Sequence, residues 1–325
     1  MKYRSWVKMG FKVLKLIILI MLFSLTGCTK YIKDNNNKII RNESTGQNLP
    51  LNILCKPTDN TTIKIYEEYN KDTKNTKVDL QNLPNCPTMP IKSSTYDGLW
   101  TTLFVQPLAW LIIKIGNLIK NYGLAIILCT LLIRTLVYPF TKKTAMQSEN
   151  MKKAQGKLSR LEKKYANKTD QASMQSKAME MQAIYKEYDI NPFASCLVMF
   201  IQIPLFFAFY EAITRIPSIF EEKFLGLNLG TSPSVGLMQQ GNILYLILII
   251  LVVLATFFSF KFSSRDVMNE EQAKQMKSMT YFMVIMMSIT AFSISSGIAV
   301  YWITSNIFTI IQNVLVKRSV KNGRN

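Results

Sequence analysis

Two residues in this sequence have a type and a setting that imply chemistry: Cys28, which follows a basic stretch and a short apolar run, and Arg134, which lies inside a long apolar run. Much other chemistry is excluded. The 325 residues include no histidine, which removes Ser-His-Asp triads, HExxH zinc sites and histidine proton relays. No GxxxxGK[ST] loop is present, because Gly156-Lys157 is followed by Leu158, so nucleotide hydrolysis would have to come from a partner. The five cysteines, at positions 28, 55, 86, 129 and 196, lack zinc-ribbon spacing. No catalytic residue, metal or cofactor is expected beyond a lipid on Cys28.

Residues 1–15 contain five lysines or arginines and no acid, residues 16–25 read LIILIMLFSL, and Leu25-Thr26-Gly27-Cys28 follows. A basic region, an apolar core too short for a comfortable span and small residues ahead of a cut site describe a signal peptide over 1–27. The Leu-Thr-Gly-Cys run resembles a bacterial lipobox. That resemblance implies diacylglycerol on the Cys28 thiol, with or without a further N-acyl chain, and cleavage that makes Cys28 the mature N-terminus. A signal anchor with an incidental cysteine is the alternative. Two acyl chains anchor firmly, whereas one holds only marginally.

Arg134 sits in Leu131-Leu132-Ile133-Arg134-Thr135-Leu136. A charge at the centre of a membrane helix costs about 2.5–3.5 kcal/mol on insertion scales, and the guanidinium does not deprotonate. The side chain either snorkels to the cytosolic surface or is solvated by neighbouring helices. Polar stripes favour the second. Thr130, Arg134 and Tyr138 share one face; Ser195, Gln202 and Tyr210 lie near one face of a second apolar stretch; Thr256, Ser259 and Ser263 fall in a third; Trp302, Asn306, Thr309 and Asn313 line a last. Each stripe alone also suits ordinary helix-to-helix hydrogen bonding. Together they suggest one wet cavity around the guanidinium. Met276, Met279, Met283 and Met286 form a further stripe, for which packing or lipid contact is the plainer reading.

The elements that must carry these residues are helices in a polytopic membrane protein. Residues 100–120 alternate apolar and polar sides at helical spacing, which suits an amphipathic helix in the outer interface; one long span over 100–140 is the alternative. Five spans are expected at about 123–140, 193–213, 243–262, 279–295 and 298–316. Tyr138-Pro139 is read as the end of the first. Residues 141–191, with 11 Lys/Arg against 6 Asp/Glu and a break at Asn167-Lys168-Thr169-Asp170, are read as a cytosolic helical hairpin. Residues 28–98 form a polar extracytoplasmic segment, with 10 basic and 8 acidic residues over 29–98. It has few large apolar residues and is expected to lack a large core. Cys55 and Cys86 would share an oxidising face, where a disulfide and two free thiols both stay open.

Charge sets the orientation. The formal net charge is +19, from 39 Lys+Arg and 20 Asp+Glu. With Cys28 outside, five spans leave 11 basic residues in the hairpin, four over 261–277 and four in the tail 317–325 on the cytosolic side. The outer loop 214–242 holds only Arg215 and Lys223. This is the positive-inside pattern, and it accounts for much of the charge without nucleic acid. Attraction of the tail to anionic lipid or to ribosomal RNA stays open.

From about Leu99 to Arg318 the chain resembles the YidC/Oxa/Alb family of membrane protein insertases. The resemblance rests on an arginine in the first core span (Gly123 to Arg134) followed by Tyr138-Pro139; the charged hairpin; Tyr188-Asp189-Ile190-Asn191-Pro192 opening the second span; Gln202-Ile203-Pro204 with Phe209-Tyr210; and Tyr301-Trp302 with Asn306 in the last. Five spans and a lipoprotein signal are similar to the Gram-positive-type members.

The resemblance implies an all-α fold of five transmembrane helices around a hydrophilic groove open to the cytosol and to lipid, with Arg134 inside. Gln202, Trp302, Thr130 and Asn306 would line it, with Tyr138 on the arginine's face. Some relatives carry glutamine where this chain aligns Ser259. The implied function is insertion of nascent membrane proteins into the bacterial plasma membrane without nucleotide hydrolysis, with the mature N-terminus outside and the C-terminus in the cytosol. Nascent clients are the implied partners; the ribosome (through the tail and cytosolic loops), the Sec translocon and anionic lipids are further ones. Two rivals stand beside this: a secondary transporter, for which the sequence offers no internal repeat, and a lipid-anchored assembly factor that only tethers.

Overall fold

The computed structural model describes residues 29–73, 76–91, 98–191, 194–263 and 270–322. Cys28 and the signal region lie outside the described residues, as do the side chains of Ser195, Met276, Met279 and Met283. The chain forms two compact units. One is built from Met1–Ile133, Gln202–Val252 and Ser288–Ser305, the other from Arg134–Ile201, Val253–Met287 and Asn306–Asn325.

The first unit opens with a small folded module in the segment expected to lack a large core. A hairpin of β1 (Arg41–Asn42) and β2 (Gln47–Asn48) pairs antiparallel. Its turn closes with Gly46 N–H donating to Asn42 O at 2.6 Å. Gly46 has φ 68° and its α-carbon lies against the Val235 side chain, so both the backbone and the space require glycine. Helix α1 (Asn60–Asp72) starts at Asp59, whose carboxylate accepts from Thr62 N–H at 2.8 Å. Ile32, Leu49, Ile53, Tyr66, Tyr69 and Val78 bury together with Phe220 of the outer loop. At about 1.5–3 kcal/mol for each large apolar side chain, this core outweighs the polar composition that hides it. A disulfide joins Cys55 to Cys86 and settles the alternative left open by the sequence.

Helix α2 (Gln106–Ile119) is preceded by a π turn over Thr101–Val105. It ends at Lys120, which takes left-handed φ 52° and donates its N–H to Gly116 O. The break between residues 100 and 140 therefore falls at Lys120-Asn121. Helix α3 (Tyr122–Tyr165) then runs for 44 residues with Pro139 inside it. The helix thus runs on past Tyr138-Pro139, where the first span is expected to end, into the first arm of the hairpin. Proline removes one donor, but the Lys-, Ala-, Met- and Gln-rich stretch after it favours helix, and the helix continues.

After a turn, Asp170 caps α4 (Gln171–Glu187) by accepting from Ser173 N–H at 2.8 Å. α3 and α4 make the expected hairpin. Lys164 Nζ and Tyr165 Oη both donate to Glu180, at 2.6 and 2.8 Å, and Lys157 pairs with Glu187.

Helix α5 (Ala194–Arg215) contains Pro204 and leads into the outer loop, with short α6 (Pro217–Phe220), a hairpin of β3 (Lys223–Phe224) and β4 (Leu227–Asn228), and α7 (Pro233–Met238). The last three helices are α8 (Leu244–Ser263), α9 (Glu270–Ser293) and α10 (Ser296–Lys321). Among the described residues, four helices are long and apolar enough to cross a membrane: Thr101–Ile119, Tyr122–Tyr165, Leu244–Phe262 and Ser296–Ser319. Thr101–Ile119 is the stretch expected as an interfacial helix, so its length and composition also suit a span. The leucines and isoleucines left exposed recur at helical spacing: Leu128, Leu132 and Leu136 on α3, Ile247, Ile250 and Leu254 on α8, and Ile307, Ile311 and Leu315 on α10. Water would penalise such stripes; hydrocarbon accommodates them.

Candidate functional site

In the first unit, three of the sequence-derived site residues have distinct surroundings. Thr130 is fully buried, and its hydroxyl donates to Ile126 O of its own helix at 2.6 Å. Gln202 is half-buried at the unit's edge on α5. Trp302 is half-buried and meets Phe206 edge-on, ring centroids 5.2 Å apart. Phe206 lies one turn along α5 from Gln202, so Gln202 and Trp302 belong to neighbouring helix surfaces. Beside them Phe209 stacks on Tyr301 at 4.3 Å.

In the second unit, Arg134 is 7 % exposed and Ser259 is 8 % exposed. Tyr138 and Asn306 are half-buried. Tyr138 meets Phe308 of α10 edge-on at 6.5 Å, and one turn further Thr141 Oγ1 donates to Gln312 Oε1 at 2.9 Å. Arg134, Tyr138 and Thr141 follow one another at steps of four and three, so Arg134 lies on the α3 face that packs on α10. Phe308 and Gln312 are α10 side chains that meet that face. Gln312 was missed because nothing local distinguishes it from Asn313.

The largest departure from the sequence expectation is at the C-terminal end of α5. Arg215, counted there as a loop charge, is fully buried, and Glu211 is 2 % exposed. Arg215 donates from Nη1 to Glu211 Oε2 and to Thr101 Oγ1, each at 3.2 Å, and from Nε to Asn52 O at 2.7 Å. Trp100 Nε1 donates to the other carboxylate oxygen of Glu211 at 2.9 Å. Leu54 N–H donates to Arg215 O at 2.9 Å. One ion pair thus ties α5 to the start of α2 and to the outer module. The signal for it was Glu and Arg four residues apart at the end of an apolar helix.

The outer module is seated on the loop by further bonds. Thr58 donates to Glu221, Thr231 to Thr45 O at 2.7 Å, and Gln240 to Ser44 O at 3.0 Å. Glu222 accepts the Tyr122 N–H at the start of α3, at 3.0 Å. Burial raises its carboxyl above the ordinary value, and that backbone bond opposes the shift.

The chain is similar to known proteins over its larger, C-terminal part. The family model described as 60Kd inner membrane protein matches residues 114–323. "Membrane protein insertase YidC" of Oceanobacillus iheyensis is 37 % identical over 227 residues, 68 % of this chain and 85 % of that protein. "Membrane protein insertase MisCA" of Bacillus subtilis is 35 % identical over 219 residues, 67 % of this chain and 79 % of that protein. A solved structure, "Active YidC insertase crystal structure with the first transmembrane domain resolved", overlays with a TM-score of 0.46 at 22 % identity, covering 70 % of this chain and 48 % of that one. On the match to the family model and these relatives, the chain belongs to the YidC/Oxa/Alb family of membrane protein insertases.

Proposed function

We propose that this protein inserts newly made membrane proteins into the bacterial plasma membrane, using Arg134 to lower the barrier for their short polar outer segments. A client's apolar helix gains about 0.3–0.6 kcal/mol for each Leu, Ile, Phe or Val placed at mid-bilayer, while one acidic residue there costs about 2.5–3.5 kcal/mol. One acid therefore cancels the gain from roughly six leucines. A fixed cation removes much of that penalty, and the client's own transfer then supplies the driving force. Arg134 would act with Gln202, Trp302, Thr130, Asn306, Ser259 and Tyr138 as the lining of a hydrophilic groove.

Two observations support the reading: family membership, and a guanidinium 7 % exposed within an apolar helical run. The hairpin of α3 and α4 is the expected first contact for clients. Diacylglycerol on Cys28, the ribosome, the Sec translocon and anionic lipids complete the proposed set of ligands and partners.

Depletion followed by rescue tests it, in a strain with no paralogue. Insertion of small one- and two-span clients should fail on depletion and return with the wild-type chain. Rescue by Arg134→Ala should fail for clients with acidic outer segments and succeed for uncharged ones. Normal insertion in depleted cells refutes the insertase reading; full rescue of acidic clients by Arg134→Ala refutes the role of the arginine.

A further inference from the structure

The first described residues of the chain are pinned to α5. Thr29 Oγ1 lies 3.3 Å from Thr214 Oγ1, and Tyr31 Oη lies 3.0 Å from Tyr210 Oη. They are held from the other side as well. Lys30 N–H donates to Asn52 Oδ1 at 3.1 Å, Leu51 N–H donates to Lys30 O at 2.6 Å, and Ile32 is fully buried in the module core. Burial, with Tyr210 adding to it, raises the Tyr31 phenol well above its ordinary value, so it stays a neutral hydrogen-bonding group. Cys28 is one residue further, and consecutive α-carbons are about 3.8 Å apart. The described chain therefore begins, one residue after Cys28, beside the C-terminal end of α5.

The α5 surface below that point suits an acyl chain. Ile203, Phe207, Tyr210 and Thr214 recur at four-, three- and four-residue steps and share a face. None of these four is buried, and Phe207 is 41 % exposed. Phe206 and Ile213, seven residues apart, flank this face on the side that packs on the core, and Ala208, Phe209 and Ala212 are buried behind it. From Thr214 to Ile203 is eleven residues, roughly 16 Å of helix rise. One leaflet of hydrocarbon is about 15 Å deep.

We propose that the acyl chains on Cys28 lie along this face of α5 as a resident lipid, positioned by the Thr29–Thr214 and Tyr31–Tyr210 contacts. The proposal rests on the lipoprotein reading of Cys28. The lipid is then an intramolecular ligand with a fixed site rather than a loose tether. It covers the outer-leaflet flank of α5 down to the level of Ile203. Phe206, at the edge of this surface, is the ring that meets Trp302, so the resident chains border a neighbour of one of the proposed groove-lining residues.

A photoactivatable, clickable fatty acid fed to cells making the full chain tests this. Intact-mass measurement first reports whether Cys28 is lipidated. Irradiation in native membranes, digestion and mass spectrometry then locate the cross-links. The seat predicts intramolecular cross-links concentrated on 203–214. Thr214→Ala combined with Tyr31→Phe should reduce their yield several-fold while lipidation at Cys28 stays complete. Full lipidation with cross-links spread over bulk phospholipid and other helices overturns the seat and leaves the lipoprotein reading standing. Absence of lipid on Cys28 overturns both.

Discussion

Glu211 and Arg215 form an ion pair one turn apart on α5, 3.2 Å between charged atoms, with side chains 3 % and 0 % exposed. Removing one partner strands the other charge in an apolar setting. Arg215→Ala or Glu211→Ala should each destabilise the first unit by about 3–5 kcal/mol, and the double variant by less than the sum. Thermal unfolding of the detergent-purified protein, followed by Trp fluorescence, checks this. Additive losses would show that the two charges are not coupled.

The Cys55–Cys86 disulfide closes a loop with a sequence separation of 31 residues. Chain-entropy arguments give such a crosslink roughly 3–4 kcal/mol of stabilisation. Cys55→Ser with Cys86→Ser, or reduction of the wild type, should make residues 29–91 of the detergent-purified protein several-fold more sensitive to protease. The apolar helices should stay resistant.

The hairpin should respond to acid. Hydrogen bonds from Lys164 and then Tyr165 hold the Glu180 carboxyl below its ordinary 4.5. A carboxylate whose folded value is lowered stabilises the paired helices above the ordinary range, and that contribution disappears as pH falls through the lowered value. Both partners are exposed, so the effect is small and weakens with salt. Protection factors over 161–187, taken relative to the intrinsic exchange rate at each pH, should be unchanged between about pH 6 and 8 and fall below the carboxylate range. Glu180→Gln should abolish that fall. Protection in the variant that still drops in acid would assign the effect to another group.

Thr141 and Gln312 bond across α3 and α10. Side-chain hydrogen bonds between membrane helices average about 0.6 kcal/mol in double-mutant cycles, and this pair should give a coupling of that order. The cycle Thr141→Val, Gln312→Leu measures it by thermal unfolding. A coupling indistinguishable from zero would mean that the contact contributes nothing to helix association.

The helices were legible in the sequence because apolar run length and capping are local. Asp170 and Lys120 mark their turns by residue type and position. Pro139 does not stop α3 because it removes a single donor, and the neighbours on both sides decide whether a helix survives that loss. The module over 29–91 was illegible for a different reason. Its core depends on Phe220, and its seat on Arg215 and Thr231, all far along the chain. No window within 29–98 contains those partners. Arg134 stood out because its apolar surroundings are sequential; Arg215 did not, because its burial comes from Asn52, Trp100 and Thr101.

The seating of that module also sets an order of events in biogenesis. Asn52 and Arg215 are 163 residues apart, and Thr45 and Thr231 are 186 apart. At about 5–20 residues per second, the ribosome makes the later partner roughly 8 to 37 seconds after the earlier one. The module must therefore wait with its docking surface unmade. A machine that assists others during that interval passes through the same vulnerable interval itself, and its own module can seat only once the loop that carries Arg215 and Thr231 has been made and placed.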